Sequence, residues 1–151
     1  MMIPFSAAGG WRMPAEWVEH QATWISWPHN PDTWPGVLEA AEAAMTDVVA
    51  ALAPHERVHI NIRDDSHGRR VPRYLDGRVD PDRYFLETIV NDNAWIRDYG
   101  AIVVRDSDGA DVAVDFDYNA WGGKYPPYEH DRAVAAQMAD RLGLDRIQVP
   151  L

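Results

Sequence analysis

Asn91-Asp92-Asn93-Ala94-Trp95-Ile96-Arg97-Asp98-Tyr99-Gly100 gathers carboxylates, amides, an arginine and an indole into one short stretch. It follows residues 85–90, whose apolar run predicts a strand, and α/β folds place ligand sites just beyond the carboxyl ends of strands. Two readings stand side by side. In one, these groups hold a polar ligand. In the other, Arg97 pairs with a neighbouring carboxylate and Trp95 plugs the core, since ion-pair networks imitate sites. A second stretch, Tyr118-Asn119-Ala120-Trp121-Gly122-Gly123-Lys124-Tyr125, sets paired glycines beside a Trp. Glycine reaches backbone shapes that other residues resist. The segment reads as a shaped loop over a pocket or as a buried turn.

A third candidate is His55-Glu56-Arg57-Val58-His59, which fits the H-E-x-x-H pattern of zinc hydrolases. That spacing chelates a metal only on a helix, where residues four apart share a face. Here Pro54 stops the preceding helical pattern, and Val58-His59-Ile60-Asn61-Ile62 alternates as a strand. On a strand the two histidines stand ~13 Å apart, at ~3.3 Å per residue. The zinc hydrolase is therefore the weaker alternative, and no metal ligands are assigned.

The elements that must position these groups follow from periodicity. Residues 22–27 form an almost unbroken apolar run closed by Pro28, which predicts a buried strand. Asp32 or Thr33 offers a helix cap. Val37, Leu38, Ala41, Met45, Val48, Val49 and Leu52 then recur at helical spacing until Pro54. Residues 58–62 predict a half-buried strand. Residues 64–83 are polar and read as a loop, with a short helix near 69–75. Residues 101–104 and 112–115 flank Ser107-Asp108-Gly109 as a hairpin. Residues 129–142 predict a helix with Val134, Met138 and Leu142 on one face, capped by Gly143. Residues 146–149 close the chain as a strand, whose sheet neighbours must come from earlier residues or from elsewhere. The order is that of an α/β fold.

Composition bounds the partners. The chain has 151 residues, 14 basic and 24 acidic, for a net charge of −10. An acidic surface disfavours phosphate backbones and polybasic membrane anchoring, and it favours cationic small molecules. No apolar run is long enough to span a bilayer. The first residues lack the pattern of a secretory signal, so a cytoplasmic location is expected. Cysteine is absent, which removes disulfides and any cysteine nucleophile within these residues. Seven tryptophans are a heavy load for this length. Core packing accounts for Trp24, Trp27 and Trp34, since each indole brings a large apolar area.

Together these blocks resemble the agmatine deiminase family, relatives of the bacterial peptidylarginine deiminases. Met13-Pro14-Ala15-Glu16-Trp17 and the residues on to Gly36 are similar to that family's amino-terminal segment. Asn91–Gly100 is similar to its N-D-D-A-W-x-R-D-x-G signature, and residues 116–125 to its F-N-A-W-G-G-K-Y. Asn93 departs from the pattern, standing where it has Asp. The resemblance implies an incomplete pentein-type α/β propeller built of ββαβ-like modules. Residues 13–151 would supply less than half of it as part of one domain, after a loose leader at 1–12.

The implied activity is hydrolysis of agmatine to N-carbamoylputrescine and ammonia, a step of putrescine formation, with no cofactor. By position, Asp98 matches the family's guanidinium-binding Asp and is the candidate catalytic residue here. Trp95 matches a substrate-contacting Trp. Trp121, Asp92, Arg97 and Asn119 come over as further parts of the pocket. The chemistry is consistent, because a carboxylate accepts the paired N–H donors of a planar guanidinium and an indole face stacks on it. The family's nucleophilic Cys and catalytic His have no match in these residues. The isolated chain is therefore expected to be inactive, since covalent catalysis of that kind needs a thiolate. The alternative is a non-catalytic domain that binds cationic ligands. An open sheet edge and uncovered apolar surface favour association, so the expected partners beyond substrate are a complementing C-terminal fragment or a second copy.

Overall fold

The computed structural model describes residues 1–3 and 10–150, and the chain forms two compact units. One is Glu19–Ile96; the other combines Met1–Val18 with Arg97–Leu151.

In the contiguous unit the predicted strands appear as β2 (Ala22–Ser26), β3 (Arg57–Ile62) and β4 (Tyr84–Thr88), after β1 (Met2–Ile3) of the other unit. They form a parallel sheet in the order β2-β3-β4. Parallel neighbours need crossovers, and helices supply them. Helix α1 (Leu38–Leu52) joins β2 to β3, and α2 (Asp65–Leu75) joins β3 to β4. Trp27, Val49, Val58, Ile60, Val71 and Leu75 are fully buried in the core between them.

Three expectations change here. The cap of α1 is Val37, with no side-chain hydrogen bond, rather than Asp32 or Thr33. Gly36 lies in the left-handed region at φ +71° and breaks the approach, while the Thr33 hydroxyl donates to Asn93 Oδ1 at 2.6 Å. The buried face of α1 is also turned: Glu42, Thr46 and Val49 are inside, and Val37 and Val48 are exposed. Glu42 is drawn in by donors. It accepts from Trp27 Nε1 at 3.1 Å, Arg70 Nε at 2.8 Å and Tyr74 OH at 2.9 Å, and a second Arg70 nitrogen completes a fork. Burial alone pushes the Glu42 carboxyl up, but these hydrogen bonds outweigh it and hold it below the ordinary range.

The third change is α2, which is longer than expected. Its residues are polar and include Gly68 and Pro72, so neither apolar period nor propensity announces it. Asp64 caps it by accepting from the His67 N–H at 2.9 Å. Gly68 lies close to β3: a Cβ there would stand 2.7 Å from Ile62 Cδ1, so a larger residue would make the end of that side chain move aside.

His67 on α2 is buried, with 8% of its surface exposed. Burial and then the neighbouring His29 push it down to about 4. The unfolded chain, with an ordinary histidine near 6.5, takes up a proton in a range where the folded chain does not. Stability from this group is thus fully present above about pH 6.5 and is lost as pH falls toward 4. His67→Asn keeps an acceptor for the Arg63 N–H, now met by His67 Nδ1 at 3.2 Å. Urea midpoints at pH 7 and pH 4.5 should therefore converge in His67→Asn relative to the parent. Parallel pH profiles in the two proteins would contradict this assignment.

In the discontinuous unit the sheet order is β1-β7-β6-β5. The hairpin β5 (Ile102–Arg105) and β6 (Asp111–Phe116) is antiparallel, as its turn residues predict. Strand β7 (Asp145–Val149) runs parallel to β6 and to β1. Met2 and Ile3, expected within a loose leader, thus supply an edge strand, and the Met1 amine meets Asp145 at 3.0 Å. The predicted final helix is divided at Ala133, after the short turns α3 (Ile96–Tyr99) and α4 (Ala120–Gly123), into α5 (Glu129–Arg132) and α6 (Val134–Leu142). Its buried set is Val134, Ala135, Met138 and Ala139, while Leu142 is exposed. Gly143 ends it at φ +66°, as read from the sequence. Among the described residues no helix is long and apolar enough to cross a membrane.

Candidate functional site

In the contiguous unit, the segment after β4 is held from below. Asn91 is fully buried and Asp92 nearly so. The Asn91 side-chain amide donates to the Asn93 carbonyl at 2.6 Å, and Asn30 Nδ2 reaches the Asp92 carbonyl at 3.4 Å. Asn93 accepts the Thr33 hydroxyl, a bond that needs an oxygen and no charge. The departure from Asp at this position thus leaves that contact intact. Trp95 is 41% exposed and lies against Trp34, with ring centroids 5.8 Å apart. Of the tryptophans assigned to the core, only Trp27 is fully buried. Trp24 is half-buried, stacked on His59 at 4.6 Å, and Trp34 is half-buried beside Trp95.

In the discontinuous unit, α3 exposes Arg97 and Asp98 while Tyr99 turns inward. Arg97 makes no ion pair among the described residues, so the reading of it as a loop-stabilising partner finds no support. Tyr99 packs edge-on to Tyr118 at 5.7 Å, and Tyr118 meets both Trp121 at 5.7 Å and Tyr128 at 6.2 Å. Trp121 in turn meets Tyr125 at 5.6 Å. The result is a continuous aromatic wall with Trp121 and Tyr125 half-exposed on its outer side. Burial, followed by the charges of Asp131 and Asp98, pushes the Tyr118 hydroxyl up to about 12. The Asp98 carboxylate is exposed rather than enclosed in a dry pocket. A cation already uses this surface: the Lys124 ammonium sits 5.2 Å from the Tyr125 ring centre.

Trp121 is presented by an unusual backbone. Ala120, Trp121, Gly122 and Gly123 all have positive φ, at 52°, 56°, 85° and 72°. Four in succession form a left-handed helical turn, which L-residues resist by about 1–2 kcal/mol each. Asn119 is its cap, accepting from the Gly122 N–H through Oδ1 at 2.8 Å. Neither the handedness nor the tyrosine wall was read from the sequence. The spacing of Tyr118, Trp121, Tyr125 and Tyr128 carried a signal, whereas Tyr99 joins them only in the fold.

His55 and His59 lie apart in kind. His55 is in the turn after α1, and His59 is on β3, between Trp24 and Phe85 and 2.9 Å from Glu87 Oε1. They share no helical face, which the zinc pattern requires.

Residues 12–151 match the family described as Porphyromonas-type peptidyl-arginine deiminase. The chain belongs to that family. An agmatine deiminase of Ectopseudomonas mendocina is 36% identical over 143 residues, covering 92% of this chain and 38% of the relative. One of Pseudomonas aeruginosa (strain LESB58) is 36% identical over 137 residues, covering 88% and 36%. The solved agmatine deiminase of Enterococcus faecalis superposes with a TM-score of 0.81 at 27% identity, covering 93% of this chain and 38% of that one. The chain thus spans less than two-fifths of the length of these relatives. As a member of the peptidyl-arginine deiminase family it carries the pentein-type α/β fold in part, corresponding to an amino-terminal portion.

Proposed function

We propose that this chain forms the guanidinium-gripping part of an agmatine deiminase-type site. The carrying observation is the half-exposed Trp121 indole, braced edge-on by Tyr118 in the same unit as the exposed Asp98 carboxylate. A flat cation laid on the indole would have its paired N–H donors accepted by Asp98. Trp95, Asp92, Arg97 and Asn119 belong to the same reading, as substrate contact and as supports. The relatives' names supply the substrate class, a guanidine on a short amine chain. On this reading the complete reaction takes agmatine and water to N-carbamoylputrescine and ammonia, a step of putrescine formation, in a cytoplasmic protein. Attack on the guanidinium carbon needs a nucleophile, and these residues contain no thiol. Binding without turnover is the consequence, with a complementing C-terminal fragment, or a second copy, completing the assembly.

Calorimetric titration of the 151-residue chain with agmatine tests the reading. One saturable site is expected, weakened about tenfold or more by Asp98→Asn, since a charge-assisted fork is lost. Ammonia release should be undetectable. Absent saturation, or affinity indifferent to Asp98→Asn, would refute the site, and ammonia release would refute the binding-only role. The Lys124–Tyr125 contact favours a second reading, a general cation-binding surface with no deimination in any assembly. Putrescine, which has an ammonium where agmatine has a guanidinium, separates the two. Equal affinity for both ligands would favour the general surface.

A further inference from the structure

We infer that the cleft between α1 and α2 binds a small molecule carrying both an oxyanion and a hydroxyl group. This site lies wholly within Glu19–Ile96 and is independent of the guanidinium reading. The cleft has a volume of about 790 Å³, within the usual range for small-molecule pockets. Arg63, Arg69 and Arg73 line it, and none makes an ion pair among the described residues. On a chain with a net charge of −10, three uncommitted guanidinium groups around one cleft reverse the local sign. Their planar forks suit phosphate or carboxylate oxygens. Of the three carboxylates that line the cleft, Glu42 is held by Arg70 and Asp64 caps α2, which leaves Glu39 alone against the three arginines.

Two histidines beneath the arginines supply the second half of the argument. His67 Nδ1 accepts the Arg63 backbone N–H, so its ring proton is on Nε2. His29 Nδ1 faces the Trp27 carbonyl at 3.2 Å, so its proton is on Nδ1 and its Nε2 is bare. The rings are 5.5 Å apart, and both Nε2 atoms are buried without a hydrogen-bond partner. A donor on one ring and an acceptor on its neighbour suit a single hydroxyl, which accepts from the first and donates to the second. Buried polar groups are rarely left unpaired. A ligand hydroxyl reaching this floor would pair both. The acidic surface of the chain repels anionic bilayers, so the ligand is a soluble small molecule rather than a lipid headgroup.

Calorimetry with glycerol 3-phosphate and with methyl phosphate, which lacks a hydroxyl beside its ester, provides the test. Glycerol 3-phosphate should saturate one site and bind more tightly than methyl phosphate. Arg69→Gln with Arg73→Gln, both at exposed positions, should weaken it about tenfold or more. His67→Asn should erase the preference between the two phosphates while leaving the binding of methyl phosphate. Absence of saturable binding overturns the proposal, as does affinity unchanged by the arginine pair. Equal affinity of the parent chain for both phosphates overturns it as well.

Discussion

Glu42→Ala should lower the stability of the chain by about 2–4 kcal/mol, because it strips the acceptor from a buried indole N–H and from two partly buried donors. The carboxylate is 1% exposed, and three side chains converge on it. Truncation leaves the fully buried Trp27 N–H without an acceptor, at about 1–3 kcal/mol, and the half-buried Tyr74 hydroxyl loses one at smaller cost. Arg70 is half-exposed and turns to water, so its share is smaller. Glu42→Gln keeps an oxygen for Trp27 but loses the charge, and should fall between the parent and the alanine variant. Urea midpoints of the three proteins give the comparison. A loss below about 1 kcal/mol in Glu42→Ala, within the usual effect of surface changes, would remove Glu42 from the centre of this unit. The pH dependence supplies an independent check. Because the folded carboxyl titrates below its ordinary range, its contribution is present above the unfolded value and is lost as pH falls through the folded one.

The second large effect belongs to the left-handed turn. Gly122→Ala combined with Gly123→Ala should add about 2–4 kcal/mol of backbone strain, at about 1–2 kcal/mol per residue. A Cβ at either position meets nothing within 4 Å, so contact with neighbours contributes nothing and the whole effect is conformational. Ala120 and Trp121 already carry such strain, so the turn should unwind locally before the unit melts. The observable is the indole of Trp121. With 5-fluorotryptophan incorporated, its fluorine resonance should shift toward that of a solvent-exposed, mobile ring, and agmatine affinity should fall with it. An unmoved resonance in the double variant would show that the turn tolerates side chains and that its handedness does not depend on glycine. Ala120→Gly should act in the opposite direction, relieving strain at φ 52°.

What could be read in advance divides along a physical line. Strands β2, β3 and β4, the hairpin and α1 are legible because their apolar residues repeat at the period of the element. Helix α2 escapes because its cap is a single aspartate and its residues are polar, with Gly68 and Pro72 among them. The inward turn of Glu42 escapes for a related reason. An acid in a helix pattern reads as solvent-facing until the three donors around it are known, and two of those come from α2. Among the candidate residues, Asp98, Trp95 and Trp121 are recognisable through the signature segments. The wall behind Trp121 is not, because Tyr99 and Tyr118 meet only through the fold. The left-handed turn lies outside any pattern of polarity, since positive φ at an alanine and a tryptophan is disfavoured and leaves no compositional trace.

The pairing of β1 with β7 sets a timetable. Residues Glu19–Ile96 are contiguous, so that unit has all its strands and crossovers once residue 96 has left the ribosome. The other sheet needs Met2 and Ile3 to find Arg146 and Ile147, which are made much later. At ~5–20 residues per second the intervening synthesis takes several seconds, during which the opening strand has no mate. Nascent chains halted once residue 96 has emerged should therefore already protect their amides in β2, β3 and β4, before the strands of the other sheet are available to pair.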